Sequence, residues 1–323
     1  MSLAINVTTS SGLVLAADTR QCYRNLKGLL RTGSDTASKL FPLNKRTGCA
    51  ITGITFLPSP EGIKNIGAFV DEFKQMEEIE SLNVEELANK LYRFFESKYD
   101  WKTHLRELKS LLKAELESKG LEFIGDFEEE KGVLKFKFKD KKGKEQEGYA
   151  AVDRMEIMVA GFNHDGSHQV FICNIPGEIN KTRDSREKGK EFGASWIGQT
   201  DVTSRIVLGW DGRILALPFV REATRRLGEE EVVKQLRGLE YQINWGAMTL
   251  QDAIDFCILA IRTTSAIQRF SDGVVLDPGD IPKVGGDIDL AIITRDKGFI
   301  WVKKKNIVIE GQEIDIDKFP NLE

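Results

Sequence analysis

The 323-residue sequence predicts an α+β fold, one domain with insertions, on three observations. Short apolar runs occur far apart in the chain, at residues 13–17, 155–161 and 288–293. They are too short for helices, and runs of this kind are strands covered on both faces. Near the C-terminal third, Leu250, Ala253, Ile254, Cys257, Ile258 and Ile261 fall at i, i+3, i+4, i+7, i+8 and i+11, the stripe of an amphipathic helix. Between these regions, VLKFKFKD (133–140) alternates strictly, with Leu134, Phe136 and Phe138 on one side and lysines on the other, which is a half-buried strand.

Each element has a local reason. Leu13 to Ala17 is entered through a Ser-Ser-Gly turn and ends on Asp18, a carboxylate that is costly at the end of an apolar strand unless paired. Cys22 to Ser38 is polar and turn-rich, a loop or loose hairpin. Lys39 then precedes Leu40-Phe41, and GCAITG (48–53) is an apolar run bounded by glycines. Ser59-Pro60-Glu61 reads as a helix start, a capping serine followed by proline at the first helical position, with Ile63, Ile66, Val70 and Phe73 as its stripe. Asn83 with Glu86 forms a capping box ahead of Leu87, Leu91, Phe94 and Phe95. Leu105, Leu108, Leu112 and Leu116 predict a further helix, and KKGK (141–144) turns the 133–140 strand into a hairpin. Its lysines read as a solvated edge that guards against strand pairing, or as a docking surface for an acidic partner. MEIMVAGF (155–162) and HQVFICNI (168–175) predict paired strands, and residues 180–190 a charged, exposed loop. Residues 210–247 are mostly helical by pattern. Thr249 caps the helix over 249–267, Asp296 to Gly298 is a turn after the 288–293 strand, and IVIEG (307–311) is a last strand before a polar tail.

Composition narrows the function classes. Hydrophobic residues make up 41% and charged residues 30% of the chain, enough for a full core, and the net charge of -4 lacks the basic excess of a nucleic-acid binder. Cys22, Cys49, Cys173 and Cys257 have no CxxC spacing and read as reduced core residues of a cytoplasmic protein, neither a disulfide framework nor a zinc site. Nothing ahead of the first strand reads as a signal peptide, and no apolar run reaches membrane-spanning length. Of the three histidines, His164 and His168 share a turn and His104 stands alone, so no metal set is expected, and no motif calls for a cofactor.

The first 53 residues carry the chemistry-bearing pattern: Ser2, GLVLAADTR (12–20) and SKLFPLNKRTGCAITG (38–53). They resemble the proteasome β-subunit family and its bacterial and archaeal relatives among the N-terminal-nucleophile hydrolases. Asp18 matches the acid of that family's VLAAD motif, Lys39 the lysine before its KLF-like strand and Gly53 the glycine closing the next strand. The family's spacing back from Asp18 lands on Ser2, which becomes the N-terminus once Met1 is removed. The resemblance continues through 155–175, through WIGQTDVTSRIVLG (196–209), through MTLQDAIDFCILAI (248–261) and through GGDIDLAIITRDKGFIWV (285–302). It implies a four-layer αββα sandwich in a single domain over 1–302, with insertions at about 101–152 and 210–247, and a C-terminal strand and tail over 303–323.

The implied activity is cleavage of peptide bonds. Ser2 would be the nucleophile, with its own α-amine as base. Lys39 would tune it, Asp18 would orient Lys39, and the Gly53 N–H would receive the oxyanion. Arg20, Gln199, Ser271 and Asp272 are the expected supporting residues. Gln199 stands where the family has a serine, and Gln268 where it has an aspartate. Expected partners are a peptide or unfolded protein as substrate, further copies of the chain in a ring, and an ATPase or regulator of undefined kind. Two other readings stay open: a catalytically silent scaffold subunit and a small-molecule amidase. Taken singly, Asp18 and Lys39 read equally well as a strand-end ion pair.

Overall fold

The computed structural model describes residues 2–25, 29–76, 78–271 and 281–304, and the backbone of 307–309 and 312–314. The chain begins with eight strands: β1 (Leu3–Thr9), β2 (Gly12–Asp18), β3 (Gln21–Arg24), β4 (Leu30–Ser34), β5 (Leu40–Asn44), β6 (Thr47–Gly53), β7 (Phe56–Ser59) and β8 (Gly62–Asn65). Helices α1 (Ile66–Lys74), α2 (Val84–Lys98) and α3 (Trp101–Ser118) follow, then β9 (Glu122–Glu130), β10 (Val133–Lys139) and β11 (Glu145–Ala151). Next come β12 (Met155–Phe162), β13 (His168–Ile175), β14 (Ile179–Asp184), β15 (Gly193–Gly198) and α4 (Asp201–Leu208). The chain continues with α5 (Pro218–Leu227), α6 (Glu229–Leu236), α7 (Leu250–Phe270), β16 (Ile288–Thr294), β17 (Gly298–Lys303), β18 (Ile307–Ile309) and β19 (Gln312–Ile314).

This is a mixed α/β protein with several sheets. Two five-stranded sheets, ordered β15-β1-β2-β16-β17 and β14-β13-β12-β6-β5, form its centre. The ladders within both are antiparallel. Period-two alternation explains the apolar runs. Leu13, Leu15 and Ala17 of β2 join Ala50, Met158 and Val170 of the other sheet in one cluster. Val14 and Ala16, on the opposite face of the same strand, pack with Ala253, Cys257 and Ile261 of α7. A strand with apolar neighbours on both faces can have no polar alternation, and burying each leucine is worth about 1.5–3 kcal/mol. The other sheet is covered by α1 and α2, whose Phe69, Phe73, Leu87, Leu91 and Phe95 cluster with Ile51, Ile157 and Val159.

Helix ends follow the caps in the sequence. Asn83 and Glu86 form the capping box of α2, and Thr249 and Asp252 that of α7. The start expected at Ser59 is different. Ser59-Pro60-Glu61-Gly62 is a hairpin turn between β7 and β8, in which the Ser59 hydroxyl donates to the Gly62 carbonyl at 2.8 Å. Proline favours the second turn position as much as a first helical turn, and glycine favours the fourth. The helix begins seven residues later, capped by the Asn65 side chain at 2.9 Å from the Gly67 amide.

Residues 180–190 are likewise not only loop, since β14 forms an edge strand ending on Asp184. Asp184 is buried. Burial pushes its carboxyl upward, but hydrogen bonds from Arg186, Gln169 and Lys181 outweigh that and hold it well below the usual range. Charges that read as solvation are in fact an ion cluster with a buried centre.

Between Trp101 and Ala151, α3 lies against the sheet β11-β10-β9 through Leu105, Leu134 and Val152, with Trp101, Leu108, Leu112 and Phe127 around them. The β10 lysines are matched by glutamates: Lys135 with Glu128 and Glu147, Lys137 with Glu145, Lys139 with Glu122. These glutamates offset the lysine charge along the outer face of the sheet. No helix among the described residues is long and apolar enough to cross a membrane.

Candidate active site

Asp18 ends β2 with its side chain fully buried, and the fold surrounds it with donors. Its Oδ1 accepts from Lys39 Nζ at 2.8 Å and from the Leu3 amide at 2.9 Å. Its Oδ2 accepts from the amides of Gly285 at 3.0 Å and Arg20 at 3.3 Å. Lys39 stands just before β5, 1% exposed, and also donates to the Arg20 carbonyl. Burial pushes the Lys39 ammonium down from its usual range, and the charge and hydrogen bond of Asp18 oppose that. Asp289, buried in β16, adds to the field holding it charged. The sequence-predicted Asp18–Lys39 pair is therefore a real contact, and the same carboxylate oxygen holds the residue that follows Ser2.

Ser2 is fully buried, and its Oγ has no hydrogen-bond partner among the described residues. Its carbonyl accepts from the Gln199 amide at 2.7 Å, because Leu3 pairs with Gly198 in the β1–β15 ladder. Gly198 has a φ of +89°, and a Cβ there would lie 2.0 Å from the Ser2 carbonyl oxygen, so only glycine allows this approach. Gly53, with a φ of +88°, closes β6 opposite Met155, and a Cβ there would lie 1.8 Å from the Arg154 carbonyl oxygen.

Gly53, Gly198 and Gln199 line one groove of about 360 Å³, together with Cys22, Arg154 and Glu156. Ser2 lies beside this groove through its contacts with residues 198 and 199 and does not line it. Burial pushes the Cys22 thiol up, away from the reactive thiolate.

The remaining predicted residues divide. The Arg20 guanidinium turns to Asp35, at 2.6 and 3.0 Å, and that hydrogen bond raises its pKa. Arg20 braces the segment around Asp18 and its side chain is engaged away from the groove. Ser271 caps the end of α7, its hydroxyl buried and without a partner among the described residues. Among the described residues no hydrogen bond joins its hydroxyl to that of Ser2. Asp272 lies outside the described residues. Gln268 accepts from the amides of Lys283 and Val284, both at 2.9 Å, which ties the end of α7 to the segment carrying Gly285.

Glu156 is the site residue that sequence reasoning missed. It sits in β12 opposite Thr52, and its Oε2 accepts from the Gly198 amide at 2.8 Å and from the Thr52 hydroxyl at 3.4 Å. Burial pushes its carboxyl up, while the Gly198 hydrogen bond and the Arg154 charge work against that. The available signal was an acid inside an apolar strand, the same signal that marked Asp18. His168 is structural: its ring packs against Phe162 and Phe192, and Nε2 hydrogen-bonds the Glu191 carbonyl at 2.7 Å. Among the described residues no cluster of three or more His, Cys, Asp or Glu side chains is placed to hold a metal ion.

The chain matches no known family and no curated protein. Among solved structures it is similar to a Gly-1 mutant of Anbu from Hyphomicrobium sp. strain MC1. The likeness is at 13% identity over 94% of this chain and 86% of that one, with a TM-score of 0.43. That likeness is remote.

Proposed function

We propose that this chain is an N-terminal-nucleophile hydrolase that cleaves amide bonds of peptides, built as a four-layer αββα sandwich over residues 1–302. The insertions lie at about 101–152 and 210–247. The observation that carries the reading is the sharing of Asp18 Oδ1 between the Lys39 ammonium and the Leu3 amide, beside Ser2, in a fully buried position. A buried lysine–carboxylate pair is expensive to maintain, and a structural strand end could be closed by apolar residues. Coupled to the chain neighbour of a hydroxyl, it supplies what an N-terminal nucleophile needs.

In the proposed reaction, Met1 has been removed and the Ser2 α-amine is free. Ser2 Oγ bonds to the substrate carbonyl carbon as its proton passes to that amine, which titrates near pH 8. Lys39 lowers the proton affinity of both groups by its charge, and Asp18 keeps it charged and aimed. The Gly53 N–H receives the oxyanion. Collapse breaks the C–N bond, the leaving amine takes the proton, and water then hydrolyses the Ser2 ester. Partners under this reading are a peptide or unfolded protein, further copies of the chain in a ring, and an ATPase or regulator. The complete burial of Ser2 favours a second reading, a silent scaffold subunit.

The test is intact mass of the native protein before and after a β-lactone probe. The expected result is loss of Met1 and one adduct on Ser2, absent in Ser2→Ala. Retained Met1 with no labelling would reject the hydrolase and leave the scaffold.

A further inference from the structure

Glu156 is a carboxylate on the groove wall that the proposed chemistry does not use. β15 is the edge strand of its sheet, so the Gly198 N–H, next to Leu3 in the ladder, faces away from β1. It donates to Glu156 Oε2 at 2.8 Å, and Glu156 belongs to the other sheet. On the far side of the same two residues, the Gln199 N–H donates to the Ser2 carbonyl. Glu156 also accepts from Thr52, and its chain neighbour Met155 pairs with Gly53. One side chain thus links the strand end that holds Ser2 to the ladder that ends in Gly53.

We infer that Glu156 is a positioning residue, fixing the gap between Ser2 and Gly53 by tying the end of β15 to the β6–β12 ladder across the two sheets. This rests on the hydrolase reading of Ser2. Acyl transfer requires the attacked carbon and the oxyanion donor at set separations, and a displacement of about 1 Å can cost about a hundred-fold in rate. A carboxylate oxygen accepting a backbone N–H is a strong, directional tie. Its ordinary alternative is a cap on an edge-strand donor, which would support folding and leave the chemical step untouched.

The test is the kinetics of Ser2 acylation by the β-lactone probe, read as the maximal rate, the half-saturating concentration and the final adduct per chain. Glu156→Ala is expected to lower the maximal rate about ten- to a hundred-fold, with half-saturation and final adduct unchanged. Glu156→Gln retains an acceptor for the Gly198 N–H and is expected to stay within about three-fold of the wild type. A simple capping role would lower the fraction of labelled chains and not the rate. Glu156→Ala acylated at the wild-type rate would overturn the inference while leaving the hydrolase intact. An unlabelled wild type would take both down. Should Glu156→Ala fail to fold, Glu156→Asp, one methylene too short to span the gap, decides: a slowed rate supports the inference and an unchanged one rejects it.

Discussion

Two lysine–carboxylate systems lie in this chain under opposite conditions. Asp18 ends the central strand β2 and Lys39 stands just before the edge strand β5, both buried, with backbone amides closing around the carboxylate. Lys135, Lys137 and Lys139 lie on the outer sheet of 122–151, matched across strands by glutamates in water. The chemistry of the partners is identical, and the surroundings set the energy. In water the gain of each pair is offset by side-chain entropy and salt screening, leaving about 0–1 kcal/mol. In the interior, removing one partner strands a charge, at about 3–5 kcal/mol. A buried pair is held in one geometry, and an exposed pair can shift with its surroundings at little cost.

The sharpest break in this comparison is Asp18→Ala. It takes the carboxylate from the Lys39 ammonium and the acceptor from the amides of Leu3 and Gly285, while the Arg20 amide keeps the Gly285 carbonyl at 2.9 Å. Each unsatisfied buried amide costs about 1–3 kcal/mol, so the variant should fail to fold or unfold at far lower denaturant concentration than the wild type. Lys39→Met removes a single partner and leaves Asp18 its amide donors. Its loss should be about 3–5 kcal/mol by urea titration. Equal stability of Lys39→Met and wild type would place the pair with the exposed ones. Gly53→Ala comes next, because its Cβ must clear the Arg154 carbonyl from 1.8 Å at a φ of +88°. A left-handed non-glycine residue alone costs about 1–3 kcal/mol, so a melting temperature lowered by several degrees is expected, and an unchanged one would show that β6 and β12 separate easily.

What the sequence shows depends on the same distinction between local and distant causes. The strands at 13–17, 155–162, 168–175 and 288–293 are legible because both faces are buried, and that reduces to a run of apolar letters. The capping boxes at Asn83 and Thr249 are legible because their partners lie three residues away. Ser59-Pro60 misleads because a turn and a helix start use the same residues, and the following Gly62 decides between them. The charged stretch at 180–190 conceals β14, whose Asp184 depends on Gln169 from the neighbouring strand. At the site, Asp18 and Lys39 stand out as charged residues beside apolar runs, and they do meet. Glu156 stands inside such a run and was read as part of it, since its partners Gly198 and Thr52 are distant in sequence and carry no charge. Ser271 ends α7 with its hydroxyl buried and without a hydrogen-bond partner among the described residues.

The smallest effect is expected at Lys139 and Glu122, which face each other across β10 and β9 at 2.9 Å. Directly opposite charges on one face of an antiparallel strand pair have favourable geometry for a surface pair. A double-mutant cycle with Lys139→Ala and Glu122→Ala should still give a coupling of only about 0.2–1 kcal/mol, decreasing as salt is raised. The salt series is the informative part. Both side chains are more than 40% exposed, so ions reach the pair and screen it, whereas salt should leave the effect of Lys39→Met almost unchanged. A Lys139–Glu122 coupling above about 2 kcal/mol, or one indifferent to salt, would mean that something covers this face in solution. The outer sheet would then be an interface, and its matched charges would be doing there what Asp18 and Lys39 do in the interior.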